Sequence, residues 1–106
     1  MGAMQWDAAQ AALAEQQLPC AVVDLDVLAH NIDLLMGPIA ALNVTLRPAS
    51  KSIRVPKILR YIAARHPSRV QGIMTFSPHE AVLLDDGGFG DFLRAYRPAR
   101  RWVITL

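Results

Sequence analysis

The sequence contains a single cysteine and no long apolar run, which argues against a disulfide-bonded protein and against a membrane-spanning one. Cys20 has no partner for an internal disulfide, so we expect a buried thiol in a strand. The three histidines are scattered without a second ligand at helical spacing, so no metal site is expected. Charged residues interrupt every stretch that could supply the roughly 20 apolar residues of a membrane span. Because the first residues also lack a secretory signal, we expect a cytoplasmic protein without membrane association.

Net charge is low as well, at +2, although four of the nine arginines lie within residues 94–101. Clustered cations beside Tyr96 and Trp102 are typical of a nucleic-acid contact. The small net charge instead favours a solvated rim near a chain end, so nucleic acid is not an expected partner. A basic binding module formed by Arg94–Arg101 stays open as an alternative function.

Stretches of strong helix formers alternate along the chain with short β-branched runs. We predict a leading helix over residues 7–17, followed by strands over residues 20–25, 44–46, 70–76 and 91–96, with a helix after each of the first three strands. Asp26 is predicted to cap the first of these helices, and Gly37-Pro38 to break it. The clearest local signal is the run Ser77-Pro78-His79-Glu80, which has the form of a capping box with proline at the first helical position.

The fold class predicted from this order is α/β. Successive strands start about two dozen residues apart, a spacing that favours right-handed crossovers and a parallel sheet. Both a doubly wound sheet and a (β/α)8 TIM-type barrel fit. Since a whole barrel takes about 200 to 250 residues, this chain would supply about the first four strands of one, over residues 20–98, with residues 1–19 leading in and residues 99–106 as a tail.

In either architecture the functional residues lie in the loops at the carboxyl ends of the strands. The polar residues at those positions are Asp24, Asp26, Arg47, Ser50, Lys51, Ser52, Thr75, Ser77, His79, Tyr96 and Arg97. Lys51 is the only lysine among them. A lysine amine shielded by apolar strands can attack an aldehyde and form a Schiff base. The alternative is an ordinary solvated loop lysine, as we expect for Lys57 in the following helix.

Three runs carry a resemblance to a known family: residues 21–32 (AVVDLDVLAHNI), 46–54 (LRPASKSIR) and 72–81 (GIMTFSPHEA). In this order and spacing they resemble the amino-terminal barrel of the fold-type III pyridoxal-phosphate enzymes, the alanine racemase group. They are most similar to its D-threonine aldolase and D-serine dehydratase branch, including relatives called amino acid deaminase/aldolase. The likeness covers residues 20 to about 98.

The resemblance implies that pyridoxal phosphate is the cofactor and that Lys51 carries it as an internal aldimine. It also implies that Arg47 and Thr75 bind the cofactor, with Arg54 and Glu80 supporting them from further out. Glu80 keeps a second, purely structural interpretation as the third residue of the capping box. The implied activity is aldol cleavage, deamination or racemisation at Cα of a D-amino acid, with that small molecule as the partner.

Members of this family are several times longer than 106 residues. The resemblance therefore implies an amino-terminal fragment, with the phosphate-binding loops of the last barrel strands and the carboxy-terminal β-domain outside it. We expect little turnover by this chain alone, and either self-association through the incomplete sheet or a need for the missing domain. A non-catalytic protein that binds pyridoxal phosphate for homeostasis stays open as a further alternative.

Overall fold

The computed structural model describes residues 5–95, which contain four helices and two strands. The helices are α1 (Trp6–Leu13), α2 (Leu25–Ala40), α3 (Pro56–Arg65) and α4 (Pro78–Asp86), and the strands are β1 (Ile73–Thr75) and β2 (Phe92–Arg94). The chain divides into two compact units, which meet in sequence between Pro38 and Ile39.

The first unit contains α1 and most of α2, and it corrects the prediction of a strand over residues 20–25. Residues 20–24 are irregular, α2 already begins at Leu25, and Cys20 is exposed rather than buried. A strand needs a neighbour to satisfy its backbone groups, and residues 20–24 bond to no strand in the described part of the chain. The apolar pair Val22-Val23 is therefore insufficient to form a strand.

The amino end of α2 is capped by Asp24, not by Asp26 as predicted. The Asp24 Oδ1 atom accepts hydrogen bonds from the backbone N–H groups of Asp26, at 3.0 Å, and Val27, at 3.1 Å. A cap lies just outside the helix and bonds to its second or third residue, which Asp24 does. The helix also continues through Gly37 and Pro38 to Ala40, so this pair lies in the last turn and does not end it.

The second unit is built on three parallel segments. In the sheet β1 pairs with β2, Ile73 lying opposite Phe92. Along the other edge of β1, the segment of residues 46–50 forms parallel bridges, and Ser50 N–H donates to the Met74 carbonyl at 3.0 Å. The parallel pairing predicted from the strand spacing is confirmed for these segments, whereas the partial barrel stays a prediction.

Helices α3 and α4 cover one face of this small sheet. Leu59 of α3, Ile73 of β1 and Leu84 of α4 form the core, each no more than 4% exposed. Each such buried side chain contributes about 1.5–3 kcal/mol relative to an exposed one. The helix ends follow the local signals, since both helices have proline at the first position and Ser77 caps α4 as predicted. The core therefore fixes where the loops after the strands lie.

Candidate functional site

The loops that follow the 46–50 segment and β1 border a cavity of about 470 Å³. Its lining residues come from these loops and from α3 and α4: Ser50, Lys51, Ile53, Arg54, Pro56, Leu59, Phe76, Ser77, Glu80, Leu83 and Leu84. This volume lies within the range of about 300–1,000 Å³ that small-molecule sites occupy. The cavity thus combines an apolar wall with a few polar groups, as such sites do.

Lys51 lies where a barrel or doubly wound sheet would place a functional residue. It directly follows Ser50, at the carboxyl end of the 46–50 segment, and it lines the cavity while being exposed to solvent. Its backbone carbonyl accepts a hydrogen bond from Arg54 Nε at 3.2 Å. Lys57, by contrast, is an exposed residue of α3 and does not line this cavity. The two lysines of the chain therefore have different surroundings.

The Glu80 carboxylate is held in the cavity wall by several donors. Its Oε2 atom accepts from the Phe76 N–H at 2.8 Å, and the Ser50 hydroxyl and the Ser77 N–H lie near enough to favour its charged form. Burial raises the pKa of the Glu80 carboxyl, but these hydrogen bonds and the nearby positive charge of Arg54 together hold the pKa below its usual value. Glu80 is therefore an anion at neutral pH.

The capping box at the start of α4 is confirmed by two reciprocal contacts. The Ser77 hydroxyl oxygen accepts from the Glu80 N–H at 3.2 Å, and the Glu80 carboxylate bonds back to the Phe76 N–H, one residue before the cap, at 2.8 Å. Glu80 therefore has the structural role that the sequence indicates. It also lines the cavity with Lys51 and Arg54, so both interpretations of this residue apply to the same place.

Ser50 lines the cavity and is buried there, which its place in the sequence did not indicate. It is only 2% exposed, and its hydroxyl donates to the Met74 carbonyl at 3.2 Å. A small polar residue just before a candidate lysine is the only trace of this in the sequence. Its contact with Met74, twenty-four residues further on, could not be read from local pattern.

Arg47 is not brought to the cavity. Its guanidinium pairs with the Asp91 carboxylate, with Nη1 at 2.9 Å from Oδ1 and Nη2 at 3.1 Å from Oδ2, and it also donates to the Asp91 carbonyl. Asp91 immediately precedes β2, so this clamp lies at the amino ends of the strands. Four residues of extended chain separate Arg47 from Lys51, which corresponds to about 13 Å. The predicted cofactor contact of Arg47 thus has no support in this geometry.

Thr75 is likewise outside the lining of the cavity. It is only 1% exposed and ends β1, two residues after the core residue Ile73. Because alternate residues of a strand share a face, Thr75 lies on the face that α3 and α4 cover. A contact between its side chain and a cofactor stays a prediction from the resemblance.

The basic cluster falls largely outside the described residues. Arg94 lies in β2, and its Nε atom is buried without a hydrogen-bond partner among residues 5–95. Tyr96, Arg97, Arg100, Arg101 and Trp102 all lie beyond residue 95. Over residues 5–95 no group of three or more acidic, histidine or cysteine side chains could hold a metal ion. None of the helices in that range is long and apolar enough to cross a membrane.

Comparison of the chain with protein-family models, with curated proteins and with solved structures finds no match. The resemblance to the pyridoxal-phosphate enzymes therefore depends on the three sequence runs alone.

Proposed function

We propose that this chain carries the cofactor-binding lysine of a pyridoxal-phosphate enzyme that acts at Cα of a D-amino acid. One observation supports the proposal above the others: Lys51 lies at the carboxyl end of a parallel segment and lines a cavity of small-molecule size. A cytoplasmic location and a small-molecule amino acid as substrate belong to the same proposal. The three reactions implied by the resemblance each break a bond at Cα, and the proposal covers them as a class.

The residues around the cavity fit part of the cofactor. Lys51 offers the amine that would bind the aldehyde carbon, and Arg54 is the other cation among the described lining residues. The amino end of α4 is a poor phosphate site in this chain. Pro78 has no N–H, the Ser77 hydroxyl takes up the Glu80 N–H, and the ionised Glu80 carboxylate repels an anion there. Binding of an anionic group in this cavity would therefore depend on Arg54.

Pyridoxal phosphate, when bound, supplies the electron sink that stabilises negative charge at Cα. The protein's part is to bind the cofactor, to orient the bond that breaks and to shield the site from water. Leu59 and Leu84 provide the apolar wall of the cavity, and ionised Glu80 lies beside Arg54 in it. The Arg54 Nε atom donates to the Lys51 carbonyl at 3.2 Å, which restrains the Arg54 side chain and so favours a fixed position for a bound anion.

The test is to incubate the chain with pyridoxal phosphate, reduce with borohydride and map the modified lysine. The aldehyde carbon bonds to the amine nitrogen with loss of water, and the hydride then reduces the carbon–nitrogen double bond to a stable secondary amine. We expect label on Lys51 to exceed that on Lys57 several-fold, and Lys51→Ala to lose the excess. Equal labelling of the two lysines would contradict the proposal, since both would then be ordinary solvated amines.

An assay with D-threonine and D-serine tests the expectation that this chain alone turns over little amino acid. Turnover that disappears in Lys51→Ala would show an active enzyme and contradict that expectation, whereas selective labelling without turnover fits both an incomplete enzyme and a non-catalytic cofactor-binding protein. The basic module gains no support from residues 5–95, because Arg94 is the one arginine of its cluster in that range. Salt-sensitive DNA binding without selective labelling of Lys51 would be the result that favours the basic module.

A further inference from the structure

The backbone around Lys51 is restrained on both sides. Before it, the Ser50 N–H donates to the Met74 carbonyl at 3.0 Å, which ties the residue to β1. After it, the Ser52 N–H donates to the Ala49 carbonyl and the Ile53 N–H to the Ser50 carbonyl, both at 3.1 Å, which closes a tight turn. Lys51 therefore extends from a turn whose shape depends on Ser50.

Ser50 differs from the other residues of this turn because its side chain is buried. Its hydroxyl donates to the Met74 carbonyl at 3.2 Å, the same oxygen that accepts from the Ser50 N–H. A buried hydroxyl that lost this acceptor would have no water to replace it, so the bond favours one position of the residue. The hydroxyl therefore adds a side-chain link between the lysine turn and β1.

The Met74 carbonyl is a fixed acceptor. Met74 lies in the middle of β1, and its own N–H donates to the Pro48 carbonyl at 2.8 Å. An anchored acceptor restrains its donor more than a freely rotating one would, because less side-chain entropy is lost when the bond forms. The contact between Ser50 and Met74 thus connects the lysine turn to the sheet.

We propose that Ser50 is a positioning residue for Lys51: its buried hydroxyl, bonded to the Met74 carbonyl, fixes the backbone from which Lys51 reaches the cavity. The use of this arrangement for cofactor binding rests on the proposed function, but the restraint itself is a property of the fold. Binding groups that are held in place before a ligand arrives lose less freedom when it binds. The Ser50 side chain would then raise the labelling of Lys51 by fixing its backbone, without contacting the ligand itself.

The experiment compares the full chain with Ser50→Ala and with Ser52→Ala as the matched control. Ser52 lies on the other side of Lys51 and is exposed, so its replacement removes the same hydroxyl without changing the buried contact. Two readouts are taken where circular dichroism shows all three proteins folded: hydrogen exchange of the amides of residues 50–53, and the ratio of pyridoxal phosphate label on Lys51 to that on Lys57. Hydrogen exchange needs no cofactor.

We expect Ser50→Ala to speed exchange in this turn and to lower the labelling ratio, each by about threefold to tenfold, as fits the loss of one buried hydrogen bond to a neutral carbonyl. Ser52→Ala should leave both unchanged. Unchanged exchange in Ser50→Ala would overturn the inference, whatever the labelling shows. Faster exchange in Ser50→Ala, combined with equal labelling of the two lysines in the unaltered chain, would support the restraint and refute the proposed function.

Discussion

Replacing Gly72 by alanine should be one of the most damaging small changes in the second unit. Gly72 has a φ of +66°, in the left-handed region, and an added Cβ would meet the Arg47 Nη1 atom, the Asp91 carbonyl oxygen and the Asp91 Cγ atom, the last at 2.8 Å. The clamp between Arg47 and Asp91 closes directly over this glycine. No side chain fits there unless the clamp or the backbone moves.

The expected cost follows from three contributions. Left-handed backbone costs an alanine about 1–2 kcal/mol. Displacing the ion pair adds about 1 kcal/mol at most, because its side chains are 29% and 49% exposed. Moving the Asp91 carbonyl weakens its hydrogen bond from the Ile73 N–H, now 3.0 Å long, for about 0.5–1.5 kcal/mol. We therefore predict that Gly72→Ala lowers the free energy of unfolding by about 2–4 kcal/mol, a large share of the 5–15 kcal/mol typical of a domain.

Urea denaturation followed by circular dichroism measures this change, with Gly88→Ala as the matched control. Gly88 also has a positive φ, +86°, but no atom lies within 4 Å of an added Cβ, so only the backbone term of about 1–2 kcal/mol applies. Gly72→Ala should thus unfold at clearly lower urea than Gly88→Ala. If the two variants have the same urea midpoint, the contact of an added Cβ with Arg47 and Asp91 does not contribute to the cost of replacing Gly72.

Two further predictions concern the capping residues. The pKa of the Glu80 carboxyl is lowered in the fold from its usual value of 4.5. At pH values above 4.5 the ionised carboxylate therefore stabilises the protein, and this stabilisation is lost as the pH falls through the lowered pKa. The urea midpoints of the unaltered chain and of Glu80→Gln should therefore differ at pH 7 and become equal towards pH 3. A difference between the two midpoints that stays constant with pH would refute a stabilising role for the ionised Glu80 carboxylate. Asp24→Ala should cost about 1 kcal/mol as the loss of a helix cap, and Asp26→Ala only about 0.3–1 kcal/mol through the helix dipole. A larger effect at Asp26, measured by denaturation, would restore it as the cap.

The two helices of the second unit were predictable because their signals are local. Proline at the first position and the S-x-x-E run specify the start of α4, and Pro56 does the same for α3, since each acts through backbone groups within one turn. The parallel direction of the strands also followed from sequence, because the connections between them are long enough for a helix. Lys51 was placed at a strand's carboxyl end by the same reasoning.

Contacts between distant residues were decided by the tertiary structure alone. The run of residues 20–25 has strand-like composition, but a strand exists only where a neighbour completes its hydrogen bonds, and composition does not report the neighbour. Arg47 was assigned to the cofactor by the family resemblance, and in the fold it pairs with Asp91, forty-four residues later. The burial of Ser50 against Met74 depends likewise on the pairing of the 46–50 segment with β1. Short runs of sequence determine the helix starts of this chain, because each signal acts within one turn. The candidate site depends on contacts between runs that are distant in sequence, which only the tertiary structure brings together.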